Sequence, residues 1–96
     1  MYVILWEFEV RQGCEEELVA ANKPGGTWSR LFQQDPAYLG TEVLRQTPRL
    51  VTIDRWISRE AYEAFRDAHR AEYEAIDSEL ERLTENEHHI GSFESA

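Results

Sequence analysis

A chain of 96 residues is long enough for one packed core and too short for two, which excludes an enzyme with a separate cofactor domain. Ten Lys and Arg against 19 Asp and Glu leave a net charge of −9, which argues against nucleic acid or an anionic membrane surface as a partner. The one cysteine, Cys14, cannot close an intrachain disulfide, and no apolar run approaches the roughly 20 residues of a membrane span, so a cytoplasmic protein is expected.

Tyr2 to Val10 alternates, with Tyr2, Ile4, Trp6, Phe8 and Val10 on one face and Val3, Leu5, Glu7 and Glu9 on the other, which predicts a strand. The second face begins apolar, so something beyond the strand's own helices is expected to cover it. Cys14 to Ala21 carries three glutamates where a helix begins and predicts a short helix. Asn22-Lys-Pro-Gly-Gly26 breaks it and reads as a flexible connection over a pocket mouth. Thr27 then caps a second helical piece with Trp28, Leu31 and Phe32 on one side, closed by Asp35-Pro36.

Leu39 to Gln46 and Leu50 to Ile57 predict two strands joined as a hairpin through Gln46-Thr-Pro-Arg49. Parity leaves the side taken by Trp56 open, because Leu50, Thr52, Asp54 and Trp56 oppose Val51, Ile53, Arg55 and Ile57. Ser58 is a natural N-cap. Beyond it, Tyr62, Phe65, His69, Tyr73, Ile76, Leu80 and Leu83 recur at spacings of three and four, which predicts one long helix with Asp77 and Glu81 on its solvated side. His89 to Glu94 predicts a last strand. Adjacent strand residues point to opposite faces, so His88 and His89 read as a solvated strand entrance rather than a metal pair. The order βαββαβ is the ferredoxin-like α+β arrangement, a four-stranded antiparallel sheet covered on one face, and 1–96 forms one domain.

The segments Tyr2 to Val10, Trp28-Ser-Arg-Leu-Phe32, Tyr38-Leu-Gly-Thr-Glu42, Asp54-Arg-Trp-Ile-Ser58 with Ala61-Tyr-Glu-Ala-Phe65, and Ile90-Gly-Ser-Phe93 together resemble the antibiotic biosynthesis monooxygenase family. The resemblance covers nearly the whole chain and implies a dimeric α+β barrel, with the two sheets of a homodimer facing each other and a small-molecule pocket in each subunit. Its haem-degrading members pair a strand Asn with a helix Trp and His. This chain offers Glu7 and Phe65 at the first two positions, and of that set only a helix histidine, His69, remains. Members that oxidise polycyclic phenols without metal or flavin resemble it in having Trp, Tyr and Arg near the pocket.

His69 interrupts the apolar stripe between Phe65 and Tyr73 and is the candidate general base, since imidazole titrates near working pH. Trp6, Trp28, Phe32, Trp56, Phe65 and Tyr73 are the candidate lining for a flat aromatic ligand. The reading is a cofactor-independent oxygenase acting on a small aromatic or quinone-like substrate. The alternative is a non-catalytic homodimeric module that binds a small apolar ligand, with haem on His69 as one form of it.

Overall fold

The computed structural model describes residues 1–96. The elements are β1 (Tyr2–Val10), α1 (Glu15–Asn22), α2 (Thr27–Phe32), β2 (Tyr38–Gln46), β3 (Arg49–Trp56), α3 (Arg59–Ala68), α4 (Arg70–Leu80) and β4 (Thr84–Glu94), with a 3₁₀ turn at Glu81–Leu83. The sheet order is β2-β3-β1-β4 with every neighbouring pair antiparallel, which is the expected ferredoxin-like topology. No helix is long and apolar enough to cross a membrane.

The register pairs Tyr2 with Trp56, Ile4 with Asp54, Trp6 with Thr52 and Phe8 with Leu50. Leu50, Thr52, Asp54 and Trp56 therefore share the helix-covered face, and Trp56 is fully buried there. Two core clusters form on this face. One joins Tyr2, Ile4, Leu31, Phe32, Trp56, Tyr62 and Phe65; the other joins Val10, Leu18, Val19, Leu50 and Leu83. Between them the paired Trp6 and Thr52 face the helices without belonging to either buried cluster.

The break between α1 and α2 falls where Pro24 and the glycines predict it, but the N-cap of α2 is Gly26, and Thr27, expected to cap, is the first helical residue. A Cβ at Gly26 would stand 2.0 Å from the Ala20 carbonyl oxygen, so only glycine lets the chain turn back this tightly against α1. The Ser29 hydroxyl donates to the Lys23 carbonyl at 2.8 Å and closes the turn.

The long helix is two helices. At His69 the backbone leaves helical geometry (φ −116°, ψ 28°), ending α3 and starting α4. The His69 ring folds back on the helix end, stacked on Phe65 with centroids 4.1 Å apart and Nδ1 3.1 Å from the Phe65 carbonyl oxygen. The periodic stripe runs through the break because Tyr73 N–H still bonds the His69 carbonyl at 2.9 Å, so spacing alone did not reveal it. α3 buries Tyr62 and Phe65 against the sheet, whereas α4 has no fully buried residue.

Ser58 caps α3 as predicted, its Oγ accepting from Ala61 N–H at 3.1 Å. Ser58→Ala should therefore cost about 1 kcal/mol of stability, measured by urea unfolding. β4 begins at Thr84, five residues before the predicted start, because β1 supplies partners along this whole stretch. This puts His88 opposite Glu7 and His89 opposite Trp6, inside the strand rather than at its entrance. The uncovered face carries partly exposed Val3, Leu5, Val51 and Ile53, with Leu44 46% and Phe93 54% exposed.

Candidate functional site

A cavity of about 210 Å³ opens between the two core clusters, where α4 stands off the sheet. Its aromatic walls are Trp6 and Phe8 from β1, Trp28 and Phe32 from α2 and Tyr73 from α4. Trp28 stacks on Phe32 with centroids 5.4 Å apart and meets Tyr73 at 4.9 Å, so two elements, α2 and α4, hold one aromatic corner rigid. The polar lining is Asn22, Thr52, Thr84 and four carboxylates, Asp54, Asp77, Glu81 and Glu87, with no Lys, Arg or His.

Asp54 lies among the aromatic groups. It projects from the middle of β3, partly buried, and its Oδ1 accepts from Thr41 Oγ1 at 2.6 Å. Thr41 has one hydroxyl proton, so with that proton on Asp54 the neighbouring Tyr38 hydroxyl donates to Thr41 in turn. Desolvation pushes the Asp54 pKa up from the ordinary carboxylate value to about 6, against the opposing effect of the Thr41 hydrogen bond. Burial, with Tyr62 close by, also pushes the Tyr73 phenol up, which keeps it neutral across the working range. Asp77 and Glu87 are raised as well, first by desolvation and then by like charge: Glu81 acts on Asp77, and Asp77 and Glu81 act on Glu87.

Of the residues singled out in the sequence, the cavity gathers Trp6, Trp28, Phe32 and Tyr73. Trp56 and Phe65 do not line it. Both belong to the first core cluster, at 0% and 3% exposure, where helical and alternating spacing serves packing. The expectation that His69 faces the pocket also fails, because the kink at the end of α3 turns its ring onto Phe65 and away from the cavity lining. The Lys23 to Gly26 connection does not border the cavity, although Asn22 before it does.

Sequence reasoning missed Asp54, and it placed Asp77 and Glu81 on the solvated side of the helix, where both are indeed exposed while also bordering the cavity. A signal for both was present. Asp54 is a carboxylate on the Leu50, Thr52, Trp56 face of a strand, and Tyr73, Asp77 and Glu81 succeed one another at spacings of four.

No family model and no curated protein matches the sequence. Solved structures do match along its length. A monooxygenase from Streptomyces coelicolor in complex with nanaomycin D superposes with a TM-score of 0.76 at 18% identity, over 99% of this chain and 87% of that one. The chain has the antibiotic biosynthesis monooxygenase fold. A proposed antibiotic biosynthesis monooxygenase from Deinococcus radiodurans shares that fold with a TM-score of 0.73 at 14% identity, over 100% and 93% of the two chains. SnoaB, a cofactor-independent oxygenase from Streptomyces nogalater, does so at 0.66 and 17%, over 98% and 91%.

Within this fold the residues present do not suit haem. The imidazole meant to ligate iron lies off the cavity on Phe65. The cavity would also set its four carboxylates, with no basic residue among the lining, against the two propionates of a porphyrin.

Proposed function

We propose that the cavity binds a small phenolic or quinone-like aromatic molecule and that the chain, as a homodimer, oxidises it with dioxygen without metal, flavin or haem. One observation carries this reading: stacking aromatic walls meet a desolvated carboxylate, Asp54, whose pKa of about 6 suits proton transfer near neutral pH. Asp54 takes the phenolic proton. The resulting phenolate is electron-rich enough to reduce dioxygen, and the balance closes on the substrate alone. A phenol with a free C–H position plus dioxygen gives the quinone plus water, one oxygen atom entering the ring and four electrons leaving it. The structural likeness to SnoaB supports this choice of chemistry.

The homodimer reading is supported by the apolar uncovered face of the sheet, because one layer of helices covers only the other side.

Oxygen uptake is the test, measured on a panel of hydroquinones and polycyclic phenols with metals chelated. Wild type should consume oxygen, and His69→Ala should do so at an unchanged rate while losing about 1 kcal/mol of stability through its contact with Phe65. A collapse of the rate in His69→Ala would return the proton-accepting role to His69. No uptake by wild type across the panel would overturn the oxygenase reading and favour a binding module.

A further inference from the structure

The cavity's charged groups are all carboxylates, and that imbalance specifies the ligand further. Asp77, Glu81 and Glu87 gather at the mouth from α4, the turn after it and β4, and none of them forms an ion pair, whereas Glu85 nearby is bridged by Arg11 at 2.9 Å. Inside the cavity, Thr52 is 2% exposed and Asn22 7% exposed. The Asn22 amide donates to the Leu18 carbonyl at 2.9 Å. Neither its carbonyl oxygen nor the Thr52 hydroxyl has a partner in the chain, so both are available to a ligand. A ligand that brings donors would pair with both oxygens.

We propose that the ligand is an aromatic cation, a flat phenolic ring bearing a protonated amine. The inference rests on the aromatic site proposed above and names its substrate class. The ring occupies the corner formed by Trp28, Phe32 and Tyr73 with its hydroxyl toward Asp54, and the ammonium group lies toward Asp77, Glu81 and Glu87. The two acidic ends are distinct: Asp54 is not raised by any neighbouring charge, while at the mouth Glu81 acts on Asp77 and both act on Glu87. A bare metal ion is a poorer occupant, because no group of three carboxylate, His or Cys side chains converges tightly enough to hold one. An ammonium on a ring is spread along the cavity as the carboxylates are, and the facing aromatic surfaces add cation–π attraction. The net charge of −9 draws such ligands in and repels anions.

Trp6 and Trp28 line the cavity, so tryptophan fluorescence reads occupancy directly. Three probes of one shape separate charge from ring: tyramine, 4-ethylphenol and 3-(4-hydroxyphenyl)propionate, titrated near neutral pH at low and high salt. Tyramine should bind about tenfold or more tightly than 4-ethylphenol, the propionate should bind most weakly, and the tyramine preference should shrink at high salt. In the variant carrying Asp77→Asn, Glu81→Gln and Glu87→Gln, tyramine should fall to the level of 4-ethylphenol while 4-ethylphenol is unchanged. If that variant does not fold, the salt dependence of the wild-type preference decides. Equal or tighter binding of 4-ethylphenol by wild type overturns the cation proposal and leaves the aromatic site standing. Absence of binding by all three probes overturns both.

Discussion

Asp54→Asn should lower oxygen uptake on the best phenolic substrate by roughly 10²- to 10⁴-fold, the range expected for loss of a general base, and should make the folded chain more stable near neutral pH. The amide keeps an oxygen to accept from Thr41 Oγ1 but cannot take a proton. The sign of the stability change follows from the pKa. In the unfolded chain Asp54 titrates at roughly 4, and in the folded chain at about 6, so the folded state holds the proton more tightly. The contribution of Asp54 to folding is therefore fully present below the unfolded value and is lost as pH rises through 6. Above that the ionised carboxylate costs on the order of 3 kcal/mol, a cost the variant does not carry. Paired pH profiles test both halves: wild-type activity should rise through pH 6 where its stability falls, and in Asp54→Asn both trends should disappear. Unchanged turnover in the variant would remove Asp54 from the chemistry.

Leu5→Asp should convert a dimer to monomer. Leu5 sits at the centre of the uncovered face, paired with Ile53 on β3 and with Gly91 on β4. In a two-fold assembly each copy would bury one new carboxylate against the other. Desolvating an unpaired charge costs several kcal/mol, so association should weaken by at least about 100-fold. Sedimentation at micromolar concentration reads the result. A wild type that is already monomeric and unfolds cooperatively would refute the dimer. The substitution should leave the helix-side packing intact, because Leu5 points away from Ile4 and Trp6.

Much of the fold was legible because it is written in local periods. The alternation from Tyr2 to Val10, the Pro and Gly break before α2, the hairpin between β2 and β3 and the Ser58 cap all follow from interactions within a few residues of each other. Their βαββαβ order then admits few topologies. The aromatic corner was legible in part. Trp28, Phe32 and Tyr73 were named from the sequence and meet around one cavity, but Trp56 and Phe65, chosen on the same grounds, are core. Residue type and spacing are the same for a ring that packs and a ring that lines a cavity.

Local pattern therefore determined most of the elements of this protein and their order, while the face that β3 buries and the break between α3 and α4 came from the folded chain. Only tertiary structure decided the chemistry of the site. His69 looked like the titratable group because its position in the stripe is a property of the helix alone. Its exclusion from the cavity depends on the α3 to α4 break and on Phe65 beneath its ring. Asp54 looked unremarkable because a carboxylate's proton affinity depends on the water taken from it. That loss of water is imposed on Asp54 by neighbours distant in sequence, Trp28 and Phe32 from α2 and Tyr73 from α4, which close over β3 only when the chain is folded.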